Sequence, residues 1–265
     1  MTEAAAAETG TWRKFEFIRG ADALVFIEAM LVWLGLIVLV LSVVLAAAAA
    51  ANVSIPDPAT LFAEGKQPVG FVHFFIASYY LVLLFFLWRI ARRVSVPAIV
   101  ARFRALPWLQ FLGSILLGLV LAAGVIALNW YLLSHRFITY ELTNSERMLL
   151  PSSTNQLPLV FLSIGLIGPF VEEFYFRGIL LSWLSRKMPA VLAVLANGLL
   201  FGLLHFKFTS HQWPGGWYVT AVMALIGMAA AVLALRTKSL WAPFGLHASY
   251  NTAMILLPVV AVSLS

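Results

Sequence analysis

From Ala29 to Ala51 the chain runs 23 residues without one charged side chain. A helix needs about 20 apolar residues to cross a bilayer. In lipid every backbone N–H and C=O must be satisfied within the element itself, so such a run can only be helical. Similar segments recur at Gly70–Leu87, Leu109–Leu133, Leu157–Leu184, Pro189–Phe206, Trp217–Leu235 and Leu240–Leu257. The pattern predicts an all-α, polytopic membrane helix bundle of about seven spans, with room for an eighth or for a re-entrant segment. The fourth segment is long enough to be tilted, or split near Pro169. Composition agrees: 62% of the 265 residues are hydrophobic and 11% charged, with a mean hydropathy of +0.96. A soluble domain carries about a quarter charged residues.

The alanine run at 46–51 resembles a signal-peptidase site, but the apolar stretch before it is too long for a signal peptide. The expectation is an uncleaved first span behind a polar tail and membrane-surface segment at 1–28. Neither an internal repeat nor a second domain is visible, so residues 1–265 are expected to form one membrane domain. The formal charge of +6 belongs to loops and implies no nucleic acid. With the N-terminus inside, the cytoplasmic side holds Arg13, Lys14, Arg19, Arg89, Arg92, Arg93, Arg102, Arg104, Arg186, Lys187, Arg236 and Lys238. The other side holds Lys66, Arg136, Arg147 and Lys207. Twelve against four places the N-terminus in the cytoplasm, and the inner membrane is the expected location if the source is bacterial. The basic, apolar-interleaved loop 89–108 could also lie on the lipid surface. The chain has no cysteine, which removes disulfides, a thiol nucleophile and thiolate metal ligands.

Ionisable groups inside spans are costly, so they face the protein interior and mark sites or pathways. Three clusters qualify. In FVEEFYFRG, Glu173 and Arg177 stand four apart and can pair on one helix face. Glu172 is turned about 100° away and is left without that partner. The acid pair thus divides into a structural member and a free one, and a free carboxylate within reach of water is what general-base chemistry needs. The bland alternative is an ion pair that only fixes helix packing. In FGLLH, Phe201 and His205 share a face, although a lone histidine there could be interfacial. In HASYN, His247 and Asn251 share a face, although they could simply bond between helices. At about 1.5 Å per residue, Glu172, His247 and Asn251 fall in one layer, roughly 10–18 Å from the cytoplasmic end of the spans, while His205 comes out nearer 24 Å. His73, His135 and His211 sit at span edges or in loops and are assigned no chemistry. Gly113, Gly118, Gly124, Gly198, Gly202, Gly227 and Gly245 are expected to permit close helix contact.

The clusters EEFYFR, FGLLH and HASYN, in this order on successive spans, resemble the CAAX-protease and bacteriocin-processing family, whose pattern is EExxxR, FxxxH, HxxxN. That family contains the Ras-converting CAAX prenyl endopeptidase. The resemblance covers about residues 157–257, the expected catalytic core helices. It implies an intramembrane endopeptidase acting on a membrane-associated or lipid-modified (for example prenylated) protein or peptide, with membrane lipid as surroundings. Glu172 would be the base that activates water, assisted by His205. His247 and Asn251 would donate to the oxyanion, and Glu173 and Arg177 would hold the site together. No cofactor is certain. A divalent metal such as zinc on Glu172, His205 and His247 stays open, although HExxH is absent and the His247–Asn251 pair is explained as well by an oxyanion role. Gly-x-Ser-Gly is missing, and the only aspartates, Asp22 and Asp57, lie outside the span cores, which disfavours rhomboid and aspartyl types. The alternatives are a catalytically silent scaffold or immunity protein of the same fold and, further off, a proton- or ion-coupled transporter.

Overall fold

The computed structural model describes residues 22, 24–51, 69–94, 103, 105–137, 156–206 and 215–264. The tail cations Arg13, Lys14 and Arg19, residues 95–102 and 104 of loop 89–108, and Asp57, Glu64, Lys66, Arg147, Lys207 and His211 lie outside the described residues. The fold is all-α: α1 Val25–Ala50, α2 Val69–Val94, α3 Trp108–Ser134, α4 Leu157–Lys187, α5 Ala190–Leu204, α6 Gly215–Thr237 and α7 Trp241–Leu264. Among the described residues, α1, α3, α4 and α6 are long and apolar enough to cross a bilayer. Their outward leucines, valines and isoleucines remain exposed, as a hydrocarbon solvent allows. Trp108 at one end of α3 and Trp130 near the other are both exposed. They are separated by about 33 Å at 1.5 Å per residue, the spacing of two interfacial aromatic belts.

Helix α4 is the centre of the bundle, contacting α2, α5, α6 and α7, while α1 packs on α2 and α3 on α7. It does not break at Pro169. Two wide π-helical stretches, Phe161–Ile167 and Phe174–Leu180, flank the short α-helical piece Gly168–Glu173 that carries both glutamates. The proline explains the first of them. A proline within an α-helix has no N–H to give and crowds the carbonyl four residues back. Widening the turn moves the Gly168 N–H onto the Ser163 carbonyl. The Ile164 carbonyl then has Pro169 as its partner in the widened register, and Pro169 cannot donate. The amide Nδ2 of Asn251 on α7 donates to it instead, at 3.0 Å. A backbone defect in α4 is thereby repaired by a side chain of the HxxxN motif. On the second wide stretch, Asn197 Nδ2 of α5 donates to the Phe176 carbonyl at 2.9 Å.

Small residues let the outer helices close on one another. A Cβ at Gly202 would run into the Thr220 carbonyl, one at Gly198 into the Met228 side chain, and one at Gly118 into Ser249 and the Leu246 carbonyl. Gly227 and Gly245 are similarly crowded. Gly113 and Gly124 depart from expectation: a Cβ at either meets nothing within 4 Å, because both face away from the α3–α7 seam. Substituting Gly202 by leucine is therefore expected to lower the melting temperature of the detergent-purified protein, by the order of 1–3 kcal/mol for overpacking or more where backbone is struck. Gly113→Leu is expected to leave it unchanged. Equal melting of the two variants would contradict this assignment of the seams.

Candidate functional site

The acid pair divides as its spacing predicts. Glu173 and Arg177 form an ion pair at 3.0 Å, with both side chains sealed from solvent. The guanidinium also donates to the Gly227 carbonyl on α6 at 2.9 Å. It lies 4.7 Å above the ring of Phe201 on α5, near enough for a cation–π contact. Arg177 thus ties α4 to α5 and α6 from within the bundle. Phe201 is fully buried, and its ring stands 4.7 Å from that of His205 and 5.4 Å from that of His247. The phenylalanine of FxxxH is the apolar platform on which the guanidinium and both imidazoles are arranged.

Glu172 departs from the expectation that it lacks a partner. It avoids the guanidinium, but its Oε1 accepts a hydrogen bond of 2.5 Å from the Tyr80 hydroxyl on α2. Its Oε2 lies 3.9 Å from His247 Nε2, beyond direct hydrogen-bonding reach. The other nitrogen of that ring, Nδ1, sits 2.8 Å from Glu173 Oε1. A carboxylate only accepts, so Nδ1 carries the proton and donates. His247 therefore spans the two glutamates, and its shortest contact is to the structural one. The Glu172 side chain keeps 16% of its surface accessible, against 2% for Glu173. That contrast decides which of the two acids can meet water.

The accessible face opens into a cavity of about 550 Å³. Glu172, His205 and Asn251 all line it, together with Tyr79 and Tyr80 from α2 and an apolar wall that includes Phe26, Met30 and Trp33 of α1. His205 reaches it from the C-terminal end of α5, which stops at Leu204 with His205 as its cap. Its Nδ1 bonds the Phe201 carbonyl at 2.8 Å, so in the neutral ring Nε2 is the acceptor. Asn251 spends one amide proton on Ile164 and retains the other.

Among the described residues no three of the acidic and imidazole groups converge as a metal-ligand set. The Nδ1 of His247 is engaged by Glu173, which leaves Nε2 as the remaining ligating atom of that ring.

Sequence reasoning passed over two polar residues, Tyr80 and Asn197. Tyr80 carried no signal, since tyrosines in apolar helices commonly just pack. Asn197 did carry one, a fully buried amide in the middle of an apolar helix. His73, expected at a span edge, is buried and bonded through Nδ1 to Ser163 Oγ at 2.7 Å. Asp22, expected outside the span cores, is buried at the foot of α1.

A bundle of apolar helices with two carboxylates, a guanidinium and imidazoles grouped in its interior defines an integral membrane protein with a buried polar site. Residues 154–253, which hold all three motifs, match the family described as Rce1-like, type II CAAX prenyl endopeptidase Rce1-like, in agreement with the resemblance drawn from those motifs. Over 101 residues the chain is 27% identical to a Bacillus subtilis (strain 168) protein named "Putative membrane peptidase YdiL". That match spans 38% of this chain and 38% of the relative, well short of two thirds of its length. No solved structure matches.

Proposed function

We propose that the chain is an intramembrane endopeptidase that hydrolyses a peptide bond of a membrane-associated or lipid-modified polypeptide with a glutamate-activated water. The observation that carries the proposal is the common lining of one cavity by Glu172, His205 and Asn251. The Rce1-like match over the same helices supports it. Glu172 Oε2 takes a proton from water while the water oxygen attacks the carbonyl carbon, and His205 Nε2 accepts the second water proton as a hydrogen bond and fixes the water's direction. Negative charge then develops on the carbonyl oxygen. The free amide proton of Asn251 stabilises it, joined by His247 Nε2 when that ring carries both protons, Nδ1 being already engaged by Glu173. Collapse of the tetrahedral intermediate breaks the C–N bond, and Glu172 returns its proton to the leaving amine. Donors aimed at developing charge in a partly dry site are the strongest contributors to such a reaction.

Glu173, Arg177 and Phe201 hold these groups without touching the substrate. The whole chain acts as a single membrane domain with its N-terminus in the cytoplasm, the side that receives most of the loop cations.

The test is a comparison of membrane peptides from cells expressing wild type or Glu172→Ala. Shortened polypeptides should appear with the first and be missing with the second. Identical peptide sets would reject the proposal and leave a silent scaffold. Exhaustive chelation of the purified enzyme is expected to leave cleavage intact. Loss of cleavage that zinc restores would reject activation of the water by Glu172 without a metal.

A further inference from the structure

The hydrogen bond between Tyr80 and Glu172 comes from a helix that the three motifs do not include, and it falls on the one acid that faces the cavity. Tyr80 Oη lies 2.5 Å from Glu172 Oε1. The hydroxyl is the donor because an ionised carboxylate has no proton to give. The approach is built into α4. A Cβ on Gly168, one turn before Glu172, would stand 3.1 Å from the Tyr80 hydroxyl oxygen, so glycine keeps that lane open. Tyr80 is itself fixed by its neighbours: it packs on Tyr79 at 5.7 Å, and Tyr79 packs in turn on Phe26 and Trp33 of α1. Trp33 Nε1 donates to Ser78 Oγ at 2.9 Å, which locks the register of α1 against α2.

With Oε1 held by a short bond, rotation of the carboxyl group about its last torsion is arrested, and Oε2 is the oxygen left toward His247 Nε2, on a side chain that lines the cavity. A terminal carboxyl torsion is otherwise broad, and a misdirected base loses much of its effect. We infer that Tyr80 is a positioning residue: its hydroxyl fixes the Glu172 carboxylate so that one chosen oxygen takes the proton from water. This rests on the peptidase proposal for its consequence, though not for the hydrogen bond itself.

The experiment uses the purified full chain in four forms: wild type, Tyr80→Phe, Gly168→Ala and Glu172→Ala. Their common substrate is taken from the membrane-peptide comparison. Tyr80→Phe keeps the ring and removes the donor. It should lower kcat about tenfold or more, the value of a hydrogen bond to a charged group, with KM, yield and melting temperature unchanged. Gly168→Ala crowds the hydroxyl off its lane and should lower kcat in the same sense. The two changes combined should lower it no further than Tyr80→Phe alone. A merely structural tyrosine would instead change yield, melting or KM and spare kcat, and that outcome overturns the inference.

A second measurement requires no substrate. Dicyclohexylcarbodiimide is applied to wild type and Tyr80→Phe, and modification of Glu172 is followed by peptide mass spectrometry. Release of Oε1 from the hydroxyl opens it to the reagent, and the labelling rate should rise several-fold, toward the tenfold of a lost charge-assisted bond. An unchanged rate overturns the inference. If wild type and Glu172→Ala both fail to cleave, the peptidase proposal is lost while the labelling result still decides whether Tyr80 holds Glu172.

Discussion

Replacing Glu172 by glutamine is expected to abolish measurable peptide-bond cleavage while leaving the amount of protein in the membrane unchanged. A positioned general base contributes about 10²–10⁴ in rate, and the amide can neither take the proton from water nor return it to the leaving amine. The fold should not register the change. Glu172 makes no contact with the buried guanidinium, its side chain is 16% accessible, and the carbonyl of glutamine can still accept from Tyr80. The matching decrease for Asn251→Ala should be about 10²–10³, the usual effect of one oxyanion donor. That substitution also strips Ile164 of the side-chain donor to its carbonyl, so some stability should be lost with it. Kinetics on purified proteins, normalised to folded protein, check both. Wild-type turnover by Glu172→Gln would remove Glu172 from the base position and with it the mechanism.

The sequence was most legible where a local rule applied. Helix spacing alone divides EExxxR into a paired and an accessible acid, because residues four apart must face each other and adjacent ones must not. The ion pair at 3.0 Å and the cavity-lining Glu172 follow that division. Long apolar runs give the helices for the same reason: period and length are local. Contacts between distant helices were not legible. Nothing in residues 170–178 indicates that Tyr80 will cover one glutamate oxygen, and nothing in HASYN says that His247 will bond the structural acid rather than face the cavity alone. Hydropathy carried the fifth span to Phe206, past the helix end at Leu204, since apolar side chains continue through a cap that ends the hydrogen-bond ladder. Pro169 read as a possible break. In the fold the turn widens and Asn251 supplies the missing donor, a repair that depends on a helix more than 80 residues further along the chain.

That repair and the buried ion pair lead to the largest expected effect on stability, at Arg177. The guanidinium is fully sealed from solvent and has three kinds of partner: Glu173, the Gly227 carbonyl and the Phe201 ring. Arg177→Ala removes all of them at once and leaves Glu173 buried with His247 as its remaining close partner. Loss of one member of a buried pair costs about 3–5 kcal/mol, a large fraction of the ~5–15 kcal/mol that holds a typical fold together. The protein should accumulate poorly and melt at a markedly lower temperature, in contrast to Glu172→Gln. Lysine should not rescue it, because one ammonium cannot reproduce the planar fork that reaches Glu173 and Gly227 together. Glu173→Ala should be damaging for the reciprocal reason. The double substitution should be less harmful than the two single losses added together, by a coupling of about 0.5–3 kcal/mol, because neither charge is then left alone in the bundle. Denaturant unfolding of the four forms in one detergent measures that coupling. Strict additivity would mean that Glu173 and Arg177 stabilise the bundle independently, and that the division of labour between the two adjacent glutamates does not rest on Arg177.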